Sequence, residues 1–255
     1  MMEIVDAYAH CGLSKYTPIE DVREVMKTAG VSCAVLVQHL GEFDNSYIGD
    51  IAASDPTCFA GVFLVDSSSV TAVEDLKKEA RSGIFKGIRL TVDVFKNSPQ
   101  LCQAAVDEGL IIVLFAPDGI AEHVEILDAF LNLNPSCRLV ITHLGNPDLG
   151  EGPGFESYKS VFTLARYAGV YYQVSGMKMF CPYPHRELYS LIGEAVEAFG
   201  VSRLVWGSNY PVVGDDDDYM KDLHLLLEKK LPLPEQAIKE IAGNNAHRLW
   251  FSDTN

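Results

Sequence analysis

The chain has 255 residues, with 20 Lys+Arg against 35 Asp+Glu for a formal charge of −15 at pH 7, and 48% of it is apolar. That apolar share supports a large core and excludes a globally disordered chain. The acidic balance disfavours nucleic acid and anionic membrane surfaces as partners, because the mean field repels phosphate.

Apolar runs bounded by turn residues predict strands at 4–8, 33–38, 58–65, 85–90, 111–115, 138–142, 171–175 and 203–206. Between them, apolar spacings of three and four predict helices at 19–29, 70–81, 99–108, 120–133, 156–168, 186–199 and 216–228. Leu188, Leu191, Ile192, Ala195 and Phe199 show that spacing well. Continuous β-branched runs indicate parallel strands buried on both faces. Strand and helix alternating eight times predict a single (β/α)8 TIM barrel over residues 1–255, with an extra C-terminal helix near 234–250 packed outside it. No run of ~18 apolar residues spans a bilayer, and the opening Met1-Met2-Glu3-Ile4 shows no signal-peptide pattern. The six cysteines stand apart without CxxC pairs and read as reduced core thiols, so a cytoplasmic protein is expected.

In such a barrel the chemistry sits where strands end and the following loops begin. Three of the seven histidines (His10, His39 and His143) fall at those places, together with Tyr8, Asp66, Arg89, Gln173 and Asn209. His123, His185, His224 and His247 fall elsewhere and read as surface or packing residues. The acids of 215–218 open a helix and read as its cap rather than as a calcium loop. The glycine-rich stretch 145–154 is placed to form a lid or rim. Met177, Met179, Phe180 and Tyr183 are placed to give the mouth an apolar wall, although packing of the loop explains them as well.

Six strings together carry a family resemblance over nearly the whole chain: Asp6-Ala7-Tyr8-Ala9-His10, Gly87-Ile88-Arg89-Leu90, Thr142-His143-Leu144-Gly145, Gln173-Val174-Ser175-Gly176, Trp206-Gly207-Ser208-Asn209-Tyr210-Pro211 and Asn244-Asn245-Ala246-His247-Arg248-Leu249. In this order the chain resembles the amidohydrolase superfamily, in its branch of lactonases, pyrone-dicarboxylate hydrolase-like enzymes and non-oxidative decarboxylases. The resemblance implies a pair of histidines on the first strand, a further histidine on the fifth in metal-dependent members, one on the sixth and an aspartate on the eighth. Here Tyr8 replaces the first of the pair and His10 keeps the second. Ala116 stands near the fifth-strand position, His143 is kept, Asn209 replaces the aspartate, and Gln173 stands where a lysine is common.

A catalytic zinc takes three protein ligands and keeps an open position, but only His10 and His143 remain as good ligands. His39 or Asp66 would have to complete the set, so no cofactor is expected, with zinc at most at low occupancy. The general base then moves to His143 or His10, with an activity rise near the ordinary imidazole pKa of ~6.5. Tyr8 or Asn209 polarises the carbonyl, or Tyr8 merely fills space and Asn209 merely braces its loop. Arg89 holds a substrate carboxylate, or pairs with Asp93. His39 and Gln173 complete the substrate site. The expected function is hydrolysis of a small lactone or related carbonyl compound, with or without a carboxylate, and without a tightly bound metal. The alternatives are a metal-dependent decarboxylase or C–C hydrolase, and a degenerate barrel that binds a ligand. A homodimer is left open.

Overall fold

The computed structural model describes residues 2–152 and 154–252. Among them, eight parallel strands pair in sequence order, β1 Val5–Ala9, β2 Cys33–Val37, β3 Phe59–Phe63, β4 Phe85–Thr91, β5 Ile111–Phe115, β6 Arg138–Ile141, β7 Val170–Val174 and β8 Leu204–Trp206. The helices on the outside are α1 Ile19–Ala29, α2 Ser46–Ser54, α3 Ala72–Arg81, α4 Val92–Asn97, α5 Pro99–Asp107, α6 Val124–Leu133, α7 Tyr189–Phe199 and α8 Asp216–Leu227. This is the (β/α)8 TIM barrel expected from the alternation. No helix among the described residues is long and apolar enough to cross a membrane.

Strand residues two apart share a fate. Val35, Val37, Val62, Ile111, Val113 and Val205 fill the barrel interior. Their neighbours Ala34, Leu36, Phe63, Ile112 and Leu114 pack outward in the cluster that includes the helices. That is period-two alternation on a sheet buried on both faces.

The barrel seam lies between β8 and β1, where the ladder shrinks to one bridge, Ala9 to Tyr210. Backbone bonds from Asn209 N–H to Tyr8 O (2.8 Å) and from His10 N–H to Tyr210 O (2.8 Å) carry the closure past the strand ends. The fully buried carboxylate of Asp6 adds two more across the seam, accepting from Ser208 N–H (2.8 Å) and Ser208 Oγ–H (2.6 Å), and within β1 it also accepts from Tyr8 N–H (3.1 Å). Two site residues, His10 and Asn209, therefore stand directly on the seam.

Three elements differ from expectation. The C-terminal helix α9, Asn245–Trp250, plugs the barrel rather than packing outside it: Ala246, Leu249 and Trp250 join the interior cluster. The reason is space, because the small and β-branched interior side chains leave an opening that the indole of Trp250 fills, against Gly87. The segment expected at 156–168 is a 3₁₀ helix, Ser157–Arg166, whose buried residues Tyr158, Val161 and Leu164 recur every three positions, the 3₁₀ repeat. Helix α2 lies outside the predicted helix ranges. It carries Gly49 mid-helix, where a Cβ would come within 3.1 Å of the Phe85 ring, so close packing overrides propensity.

Candidate active site

Strand C-terminal ends and the loops that follow them deliver side chains to a common mouth. A cavity of about 190 Å³ there is lined by His10, Arg89, His143 and Asn209 with Lys15, Tyr16, Leu40, Phe115, Met179 and Val212. Four of the seven expected site residues thus converge. Tyr8 and Gln173 lie behind this lining. His39 lines a separate neighbouring cavity of about 300 Å³, on the far side of Tyr16, whose ring meets His39 edge-on at 5.4 Å.

The turn after β6 has an unusual backbone. His143, Leu144, Gly145 and Asn146 all have positive φ, from 50° to 72°, a costly run for three non-glycine residues. Two buried phenols hold it, since Tyr172 Oη donates to Leu144 O at 2.8 Å and Tyr158 Oη donates to the same carbonyl. A Cβ at Gly145 would lie 2.1 Å from the Tyr158 oxygen, so only glycine fits. The strained turn points the His143 ring back over β7.

There a chain of hydrogen bonds fixes its tautomer. Gln173 Nε2 donates to Ala7 O at 3.0 Å, which leaves Gln173 Oε1 as an acceptor. Ser175 Oγ–H donates to that oxygen at 3.0 Å, so its own oxygen is the acceptor for His143 Nδ1 at 2.9 Å. The proton of His143 therefore sits on Nδ1, and Nε2 carries the lone pair. Gly176 makes room, since a Cβ there would lie 2.9 Å from Nδ1.

His10 is set in the same way. Its Nδ1 lies 2.6 Å from Val37 O, which can only accept, so Nε2 again keeps the lone pair. Burial, and then the Arg89 guanidinium, push both rings towards the neutral form, His10 well below the usual imidazole range and His143 down to about 3. The expected activity rise near pH 6.5 is displaced accordingly. Both imidazoles are neutral acceptors throughout the physiological range.

Tyr8 stands edge-on to both rings, 5.1 Å from the His10 centroid and 4.6 Å from that of His143. Its hydroxyl is buried without a hydrogen-bond partner, and burial pushes its pKa up from 10, so it stays a phenol. The ring lies between the two imidazoles. Arg89 makes no ion pair with Asp93; Nη1 donates to Gln38 O at 3.0 Å, and the guanidinium lies 4.9 Å over the Phe115 ring. Asn209, at φ 56°, donates from Nδ2 to Met179 Sδ at 3.2 Å.

These residues do not fit a divalent ion, which metal-dependent members of the resembling superfamily hold. Two imidazoles, a neutral amide and an un-ionised phenol make a poor donor set. Asp66 turns away to Ser68, accepting from its N–H at 2.9 Å and its Oγ–H at 2.6 Å. Among the described residues no group of three or more His, Cys, Asp or Glu side chains is placed to share an ion. No step is derived through a metal.

Several surroundings differ from expectation. None of the described residues of 145–154 lines the cavity, and Pro153 lies outside the described residues. The rim comes instead from Lys15 and Tyr16 in the loop after β1, with Tyr16 stacked on His10 at 4.9 Å. Of the four apolar residues after β7, only Met179 reaches the cavity. His185 is a buried packing residue, Nε2 3.0 Å from Asp222 Oδ1 and Nδ1 2.8 Å from Cys181 O. The 215–218 acids do cap α8, Asp215 accepting from Asp218 N–H at 3.1 Å. Lys15 and Tyr16 escaped the sequence reading because they sit six or seven residues past the strand, where periodicity says nothing.

The amidohydrolase family model (Amidohydro_2) matches residues 6–251. The chain belongs to the amidohydrolase family. An L-fucono-1,5-lactonase from Burkholderia ambifaria is 31% identical over 204 residues, 76% of this chain and 69% of that protein. A Pseudomonas putida structure assigned as a 2-pyrone-4,6-dicarboxylic acid hydrolase superposes with a TM-score of 0.80 at 21% identity, over 98% of this chain and 97% of that one. The 5-carboxyvanillate decarboxylase of Sphingomonas paucimobilis gives 0.66 at 12% identity, over 98% and 99%. The fold is thus shared with these structures, and this amidohydrolase is a hydrolase on the strength of its family and its lactonase-named relative.

Proposed function

We propose that this amidohydrolase opens a small lactone by adding water to its carbonyl, with His143 as general base and without a bound metal ion. One observation carries the reading: the Gln173–Ser175–His143 chain fixes the tautomer of the imidazole and leaves its Nε2 lone pair free beside a cavity of single-ring size. The lactonase relative supports the choice of a cyclic ester as substrate.

The steps follow from the residues present. Nε2 of His143 takes a proton from water as the oxygen attacks the carbonyl carbon. Charge that develops on the carbonyl oxygen is met by the amide N–H of Asn209, which exchanges a weak sulfur acceptor for an oxyanion. The tetrahedral intermediate expels the ring oxygen, and the His143 imidazolium returns its proton to that alkoxide, giving the hydroxy acid. Burial and Arg89 make the imidazolium a strong acid, which favours the second transfer over the first. His10, with its Nε2 also free, orients the water from the other side.

A panel of monocyclic lactones, followed by acid release in a weakly buffered indicator assay, tests this. Ring opening that survives exhaustive chelation is the expected outcome. Release of carbon dioxide without ring opening would assign the decarboxylase alternative, and tight binding without turnover would assign a ligand-binding barrel.

A further inference from the structure

A second cavity of about 130 Å³ shares Leu40 and Arg89 with the mouth, and so adjoins it across a common wall. Its other apolar side chains are Phe43 after β2, Leu64 and Val65 after β3, Leu90 on β4 and Val94 on α4. Leu64, Val65, Leu90 and Val94 are buried, whereas Leu40 and Phe43 stand 38% and 47% exposed. Apolar side chains converging on one small hollow, two of them left in water, make a surface that an apolar group completes. Several polar groups of the same lining are already engaged within the protein. Asp66 accepts from Ser68, the Ser67 carbonyl accepts from Ser98 Oγ–H at 3.3 Å, and Arg89 Nη1 donates to Gln38 O at 3.0 Å. Among the buried side-chain polar atoms of that lining only Arg89 Nε lacks a partner, and Arg89 belongs to the wall shared with the mouth.

We propose that this annex is a subsite for an unbranched alkyl substituent on the lactone ring, about four carbons long, which leaves the ring cavity past Leu40. The proposal rests on the hydrolase reading and names a substrate class for that same site, the alkyl-substituted monocyclic lactones. Volume sets the length. About 130 Å³ is roughly four water volumes, and a methylene takes up about as much space as a water molecule. The far end sets a limit as well. Phe43, Leu64, Val65 and Asp66 also line a further cavity, of about 310 Å³, whose other side chains include Asp75, Lys78 and Glu79. Methylenes carried beyond Phe43 therefore meet charged groups and water rather than carbon, and add no further burial. Leu40, present in both linings, packs against the ring on one side and the first carbons of the tail on the other.

Equilibrium binding of inert ring analogues separates the subsite from turnover. Tetrahydrofurans bearing a 2-ethyl, 2-butyl or 2-hexyl chain keep the ring but have no ester to open, and 2-(3-hydroxypropyl)tetrahydrofuran matches the butyl compound in length with a polar end. Titrations of the full chain, followed by NMR of labelled Leu and Val methyl groups, give the affinities. The butyl compound is expected to bind about tenfold more tightly than the ethyl one, the gain that two buried methylenes supply, and the hexyl compound no more than about twofold more tightly than butyl. The hydroxypropyl compound binds about tenfold more weakly than butyl, and only the longer alkyl chains shift the methyl signals of Leu64, Val65 and Val94. Phe43→Ser, at a half-exposed loop position, shrinks the butyl-to-ethyl ratio several-fold, while Val70→Ser, at a fully exposed apolar residue outside both cavities, leaves it unchanged. Affinity that climbs evenly through hexyl, equal affinity for the butyl and hydroxypropyl compounds, failure of all four to bind, or a ratio that persists in Phe43→Ser overturns the proposal. A butyl preference in a protein that opens no lactone would overturn the hydrolase reading alone.

Discussion

Ser175 stands between His143 and Gln173, accepting from the Nδ1 of one at 2.9 Å and donating to the Oε1 of the other at 3.0 Å. No carboxylate ends this chain. It ends on a backbone carbonyl, Ala7 O, so it fixes the orientation and tautomer of the imidazole without stabilising its charged form.

Removing the hydroxyl frees the ring to exchange tautomers. Ser175→Ala is expected to lower kcat by about ten- to a hundredfold with little change in KM, and Ser175→Thr to recover most of it. Nitrogen-15 shifts of labelled histidine report the cause directly. They show Nδ1–H alone at His143 in the parent and a mixture in the alanine variant. His143→Gln removes the base and is expected to cost about 10²–10⁴ in kcat.

The acid limb of the rate profile follows from the depressed imidazoles. His143 is active as the neutral ring, and burial with Arg89 pushes its pKa down to about 3. Activity is therefore expected to stay flat from about pH 8 down to pH 5, where an unperturbed histidine base would already have lost most of it. The check is kcat/KM across that range at constant ionic strength.

Asp6 gives stability a pH dependence of its own. Burial raises its carboxyl from 3.8 to about 6 against the opposing hydrogen bonds of Ser208 and Tyr8. The native state then holds this proton more tightly than the unfolded chain. Its contribution to stability is complete below about pH 4 and is lost as pH rises to about 6, on the order of 3 kcal/mol in all. Asp6→Asn keeps an acceptor for the two N–H groups and cannot ionise. Denaturant midpoints measured from pH 4 to pH 7 should show the variant gaining on the parent across that window, and parallel curves would contradict the assignment.

Tyr8→Phe tests the space-filling role. The phenol oxygen is buried without a partner, so its removal is expected to leave kcat/KM within about threefold and to raise stability by about 1 kcal/mol. A loss of activity near that of His143→Gln would instead return Tyr8 to the carbonyl-polarising role.

Much of the barrel was legible because its signals are local. The strand at Ile111–Phe115 and the helix at Ile19–Ala29 fall where the apolar pattern puts them, and strand ends locate His10, Arg89, His143 and Asn209. What stayed hidden depends on contacts between distant residues. The plug of Trp250 is set by the width of the barrel interior against Gly87. The separation of His39 from the cavity is set by the ring of Tyr16, which follows no strand or helix period. The tautomer of His143 needs Ala7, Gln173 and Ser175 together, brought from two strands.

The most direct measurement is lactone turnover and metal content on one sample. The protein is expressed with zinc and manganese supplied, then dialysed exhaustively against chelator and assayed on monocyclic lactones. The account predicts ring opening at full rate with far less than one equivalent of metal per chain, and its loss in His143→Gln. Activity that disappears on dialysis and returns with zinc would contradict it.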